Sequence, residues 1–342
     1  MRGETAPCLP PGLPTRRPPW APPSLPARRK PGRPRKEPAP EPPVADAFLL
    51  SMRHFLPKLP EWIKQVNDPR TRPDACTYSM NEIIMLALVM FCCQCGSRRQ
   101  LDRDRTREQF LLNFRMLPGE EDGAVTCADN MNRALTMVAP GELEKLAVRC
   151  SKALNRSKAL RNFKCDGMLV VAVDGTQILS FKSRHCKHCL TRDLGNGQTQ
   201  YYHYVLAAKI VTPVGLVLPA AFEFVENPSG KFDKQDCEIK AFRRLARWIT
   251  PLRYHGRIVH WIELQESGPD GDGYHNVWIT DIKPRQANAM ALAKAGRLRW
   301  KIENEGINTQ KTGGYKMEHG YGVRKNACKN YYLLLQIALQ IN

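Results

Sequence analysis

Two carboxylates and one sulfur-rich loop are the side chains of this chain best suited to chemistry. Asp174 stands where the apolar, β-branched run 168–173 meets Asp174-Gly175-Thr176. A carboxylate at a strand end is rigidly held on a sheet rim and suits a metal ligand; in isolation, the commoner role of such an Asp is to form a turn or cap a helix. Far along the chain, Arg299-Trp300-Lys301-Ile302-Glu303 is followed by Asn304, Glu305, Gly306, Ile307, Asn308 and Lys311. Arg299 and Glu303 lie four apart and share a helix face, where the bland reading is a surface ion pair of roughly 0.2–0.5 kcal/mol. The segment His185-Cys186-Lys187-His188-Cys189 packs His and Cys ligands together like half of a zinc knuckle. A closed structural site needs a second ligand pair. Cys237 or His203 offers one further ligand, and no second Cys-x-x-Cys follows the segment. Zinc on Cys186 and Cys189 is therefore the less favoured reading, and a reduced polar loop the favoured one.

The elements that must position these groups follow from composition and periodicity. The chain has 342 residues, 52 Lys plus Arg against 33 Asp plus Glu, and a formal charge of +19, which fits a polyanionic partner, nucleic acid first. Twelve cysteines at irregular spacing, several inside apolar runs, suit reduced thiols better than a disulfide framework. The longest apolar run, 83–93, is about half of the roughly 20 residues a membrane helix needs, and the start lacks a signal core. The expected place is the cytosol, on the nucleoid. There is no Walker loop, dinucleotide fingerprint or Gly-x-Ser-x-Gly elbow.

Residues 1–45 hold 15 of the 27 prolines and read as a disordered arm. Within it, Arg28-Arg29-Lys30-Pro31-Gly32-Arg33-Pro34-Arg35-Lys36 resembles an AT-hook, with Arg33, Arg35 and Lys36 the expected DNA contacts. An extended Arg-Pro-Arg suits a narrow A·T minor groove; the plainer alternative is a basic linker. Residues 46–165 read as an all-helical domain for DNA binding or dimerisation. Phe48, Leu49, Met52, Phe55 and Leu56 recur at helical spacing, and Ser79 caps the helix after it. From 166 to 342 the pattern predicts strands near 168–173, 202–211, 214–225, 257–264 and 277–280. Helices are expected over 234–248 and 286–311, giving an α/β layer with one sheet.

Taken together, these stretches resemble the DDE transposases of the insertion-sequence-four type. The likeness rests on Val173-Asp174-Gly175-Thr176, the Cys186/Cys189 segment, Tyr202-His203-Tyr204-Val205 and Phe224-Val225-Glu226-Asn227. It continues through Lys234-Gln235-Asp236-Cys237-Glu238 and the Arg299 to Gly306 helix, and then Gly313-Gly314-Tyr315, Glu318-His319 and Asn330-Tyr331-Tyr332. It spans roughly residues 60 to 342. The resemblance implies an RNase H-like catalytic domain with a mixed sheet, whose three carboxylates hold two Mg²⁺ or Mn²⁺ ions for cutting and joining DNA. Asp174 matches the first carboxylate and Glu303 the last; Arg299 matches a phosphate-contacting arginine. The family's tyrosine falls on Gly296, and its lysine falls near Gln310, beside Lys311.

The second aspartate departs from the pattern. After the Lys-Gln-Asp helix the family places an apolar strand ending in Asp, whereas here 242–247 passes directly into Trp248-Ile249-Thr250-Pro251-Leu252, as if an internal block had been deleted. Asp281 is a weak substitute, and Asp270 and Asp272 lie in a turn. The implied partners are double-stranded DNA, the terminal repeats of a mobile element and a second copy of the chain, with no membrane. The rival expectation is a catalytically dead remnant that only binds DNA. The chain also stops inside an apolar, helix-like stretch at Gln340-Ile341-Asn342.

Overall fold

In the computed structural model, the residues described are 44–117, 119–120, 124–167, 169–184, 186, 188–195, 197–227, 236–245, 260–267, 273–280 and 282–342. The basic arm with Arg33, Arg35 and Lys36 lies outside them, as do His185, Asp270, Asp272 and Asp281.

Among the described residues seven α-helices come first: α1 (Val44–Phe55), α2 (Leu59–Lys64), α3 (Met80–Cys92), α4 (Arg98–Asp104), α5 (Glu108–Arg115), α6 (Ala128–Leu135) and α7 (Pro140–Arg156). Helix α3 begins as its sequence dictates. The Ser79 hydroxyl accepts from the Glu82 amide at 3.1 Å while the Glu82 carboxylate accepts from the Ser79 amide at 2.7 Å, a reciprocal capping box. From Ile83 to Cys92 every residue of α3 is buried, so this helix is core on all sides. Ser79→Ala is expected to cost about 1 kcal/mol in a denaturant titration, with the loss confined to the cap.

The strands are β1 (Val170–Phe181), β2 (Leu190–Asp193), β3 (Thr199–Val211) and β4 (Val217–Val225). Strand β3 is the centre: β1 pairs along one side, and β2 and β4 share the other. The β3–β4 connection around Thr212-Pro213 is the hairpin expected from sequence, with Thr212 Oγ1 donating to the Leu216 carbonyl at 2.9 Å. After α8 (Glu238–Leu245) come β5 (His260–Ser267) and β6 (Gly273–Thr280), a separate two-stranded sheet. The chain continues through α9 (Ala289–Arg297), a π-helical segment (Ile302–Ile307), α10 (Asn308–Thr312) and α11 (Ala327–Ile341).

Three expectations change. Every described strand pairing is antiparallel, so the fold is mixed helix and strand with antiparallel sheets, and no mixed sheet occurs among the described residues. The helix expected over 286–311 is broken at its middle by a turn after α9 and by the π-helical segment. Asp174 is not at a strand end: β1 runs seven residues further, and Asp174 pairs opposite Ala207 in the middle of the ladder. Gly175 lies inside the strand, where a Cβ would come 2.5 Å from the Glu238 carboxylate.

Helix α11 joins the two halves of the chain. It packs on α3, α7 and α6 and also on β4. The amide nitrogens of its buried polar side chains find specific partners: Asn330 donates to the carbonyls of Leu135 and Val138, at 2.7 and 2.9 Å. Gln336 donates to Gln310 at 2.7 Å, and Gln340 to the Pro219 carbonyl at 2.9 Å. One hydrophobic cluster runs from Leu49 through α3 and α7 to Val205, Phe222 and Ile341, and residues 43–342 form one unit. The core therefore crosses the boundary drawn at 165/166.

Candidate carboxylate site

Alternation along β1 and β3 sorts side chains onto two faces. Val171, Val173, Tyr204, Leu206 and Ala208 pack with Ala241 and Leu245 of α8. Ala172, Val211 and Val217 pack with Ile302 and Leu298, beneath the π-helical segment. Asp174 shares this second parity with Ala172, so the sheet offers its carboxylate on the side where Glu303 arrives. Burial raises the Asp174 carboxyl above the ordinary carboxylate range. The Gly175 amide, donating to Asp174 Oδ1 at 2.9 Å, and the nearby Arg299 charge oppose that rise; the Glu303 and Glu238 charges add to it.

The last helix delivers Glu303 from a π turn. Such turns are rare, appear mostly as single insertions and recur at functional sites. Within it Ile302, Gly306 and Ile307 are buried while Glu303 stays exposed. The i,i+4 ion pair of this stretch is Lys301 with Glu305 at 2.9 Å, not Arg299 with Glu303. Arg299 is exposed, and its charge lies within electrostatic reach of Asp174. Gly306 lets the segment lie close to the sheet, since a Cβ there would come 2.9 Å from Val217 Cγ1 and 3.6 Å from Lys209 Nζ.

Lys209 was not apparent as a site residue in the sequence. It lies opposite Ala172 on the Asp174 face and is 1 % exposed. Burial pushes its ammonium down to about 7, against the attraction of Asp174. A charge kept in the core at such cost is a functional signal with a physical basis.

Glu238 is the third carboxylate brought here, and it comes from the other face. Its Oε1 accepts from the Tyr204 hydroxyl at 2.5 Å, and a Cβ on Gly175 would sit 2.5 Å from the same oxygen. Burial and then Glu238 push the Tyr204 phenol well above its usual value. Helix α8 is anchored by Arg244, which pairs with Glu223 of β4 and with Asp236 at 2.6 Å. Glu238 thus lies within electrostatic reach of Asp174 across the strand. Among the described residues, the three carboxylates do not form a group whose oxygens all lie within 4.8 Å of one another.

The other expected contacts divide. Lys311 pairs with Glu318 at 2.9 Å, and Gln310 is buried against Gln336. Gly296, at the family's tyrosine position, is where the Trp278 indole of β6 rests: a Cβ would come 2.5 Å from the ring, so a tyrosine would displace that indole. Among the arginines after α3, Arg98 pairs with Asp129 at 2.7 Å, Arg105 with Asp102 at 2.8 Å and Arg107 with Asp104 at 3.4 Å. Arg99 and Arg103 remain exposed.

Cys186, Cys189 and His203 converge, whereas Cys237 is exposed elsewhere with a free thiol. A Cys-x-x-Cys also occurs earlier, at Cys92 and Cys95; it ends α3, with Cys92 buried in the helical core. No helix among the described residues is long and apolar enough to cross a membrane.

No protein-family model, no curated protein and no solved structure matches this chain.

Proposed function

We propose that this chain is a double-stranded DNA-binding protein of DDE-transposase descent, acting at the ends of a mobile element by metal-dependent phosphoryl transfer. The observation that supports this reading is that Glu303 and Arg299, from the broken last helix, lie within electrostatic reach of Asp174 on β1. Two carboxylates beside an exposed guanidinium suit a divalent cation and a phosphate side by side. The net charge of +19, the basic arm and the exposed Arg99 and Arg103 support DNA as the partner. The antiparallel β1–β3–β4 arrangement followed by α8 is compatible with the opening half of an RNase H-like sheet.

Asp174 and Glu303 would hold one Mg²⁺ or Mn²⁺, whose repulsion-relieving charge their mutual electrostatics invite. Such an ion polarises the phosphate and activates the attacking oxygen. Arg299 would orient a phosphate oxygen. A two-ion clamp asks for more oxygen ligands than this face provides among the described residues. That shortage favours a second reading, a DNA binder with a vestigial site.

Strand cleavage of DNA carrying the terminal repeats, with Mg²⁺ or Mn²⁺ and beside a binding assay, separates the two. If the first reading holds, Asp174→Asn lowers cleavage by at least about 100-fold and leaves binding unchanged. Binding without cleavage by the parent chain selects the second reading. Absence of DNA binding by the full chain would defeat both.

A further inference from the structure

We propose that Cys186, Cys189 and His203 form a zinc(II) site that locks the loop after β1 onto the central strand. The site stands apart from the DNA reading.

The geometry is that of three corners of a tetrahedron. Cys186 Sγ and Cys189 Sγ are 3.5 Å apart, and His203 Nε2 lies 3.6 Å from the first and 3.7 Å from the second. With zinc–sulfur bonds of about 2.3 Å and zinc–nitrogen bonds of about 2.0–2.1 Å, tetrahedral angles put sulfurs about 3.8 Å apart and sulfur about 3.6 Å from nitrogen. The three observed separations match this within a few tenths of an ångström. A disulfide would need the sulfurs at about 2.05 Å, and both thiols are free.

The ligands are held from several directions. His203 sits in β3 opposite Leu179 of β1, with the Phe181 ring edge-on at 6.1 Å. Cys189 is fully buried immediately before β2, and its amide donates to the Cys186 carbonyl at 3.4 Å, closing the turn between the two sulfurs. Buried Asn227, at the end of β4, clasps the same turn: its side-chain amide donates to the Cys189 carbonyl at 3.1 Å and its backbone amide to the His188 carbonyl at 3.4 Å. His188 Nδ1 returns to the Asn227 carbonyl at 3.0 Å. Backbone clamps of this kind fix the direction of metal ligands. Among the described residues no fourth Cys, His, Asp or Glu joins the group within 4.8 Å, so the group is the three-ligand set of an open zinc site, which a water completes, and not the four-ligand set of a closed structural one.

The consequence is structural. His203 is followed by Tyr204, whose hydroxyl holds Glu238. A metal at His203 would therefore stiffen the strand segment from which the α8 face of the carboxylate site is set.

The test is metal content and cobalt(II) spectroscopy on the full chain, purified under reducing conditions and incubated with zinc or cobalt(II) alone. The expected result is one zinc per chain and a tetrahedral cobalt–thiolate spectrum, with metal affinity at least about tenfold weaker in Cys189→Ser and His203→Ala. Cys237→Ser should match the parent. Should a variant fail to fold, the parent's metal content and cobalt spectrum still decide. No bound metal in the parent, undiminished binding in a folded Cys189→Ser, or a Cys186–Cys189 disulfide in place of metal would each overturn the proposal. None of these readouts uses DNA, so failure here leaves the proposed function standing, and the reverse.

Discussion

Lys209→Met is expected to stabilise the folded chain at neutral pH by about 1–3 kcal/mol in a denaturant titration, an uncommon sign for a core substitution. The side chain is 1 % exposed, and its ammonium is pushed from 10.5 down to about 7, burial being the dominant cause. Below about 7 the folded chain must carry a buried positive charge, and the full penalty applies. Between about 7 and 10.5 the unfolded chain binds more protons than the folded one, so stability rises with pH and the penalty fades. The whole interval corresponds to roughly 5 kcal/mol, which water penetration and relaxation reduce in practice. Lys209→Met should abolish this slope between pH 7 and 10.5. A destabilised variant, or a parent whose stability does not rise with pH, would refute the account. Methionine retains the length that passes beneath Gly306 and Val217, so packing is nearly conserved.

Gly175→Val is expected to have the opposite sign and a similar size, about 2–4 kcal/mol of destabilisation. The new side chain would overlap the Tyr204 ring and reach the Glu238 carboxylate. Either the Tyr204–Glu238 hydrogen bond breaks or α8 withdraws from β4. Hydrogen exchange should then speed up across 238–245, and the Tyr204 phenol, freed of its burial and its carboxylate partner, should titrate lower than in the parent. Unchanged exchange in α8 would mean that the glycine is not what admits Glu238.

Much of this arrangement could be read from residue pattern. The Ser79 cap, the β3–β4 hairpin and strands β1, β3 and β4 all carry strong local signals, namely a capping box, a Thr-Pro turn and β-branched runs, whereas the short β2 carries none. Asp174, Glu303 and Arg299 stand out only through the likeness of their stretches to DDE transposases; by type and spacing alone they read as a turn former and a surface ion pair. Other features depend on what the chain meets across space. Gly175-Thr176 suggests a turn until Tyr204 and Glu238 are seen crowding that face. Glu238 looks like an ordinary residue in a charged helix until Tyr204 is placed beneath it. Helix α11 is apolar on nearly every side, so it carries little of the one-faced periodicity that marks a surface helix. His203 joins Cys186 and Cys189 only through the pairing of β2 with β3.

The π turn at Ile302–Ile307 has a bearing on how this chain can change over generations. Each residue advances an α-helix by about 100°, so a π turn is an α turn holding one residue too many. Loss of a single codon within it would restore ordinary pitch and leave both flanks on the faces they now present, because the wide turn already absorbs the extra residue. Arg299 on one side and Gln310 on the other would keep the surfaces they now face. A one-residue deletion, which in a regular helix turns one flank against the other by about 100°, would here spare both flanks and cost only the residue removed.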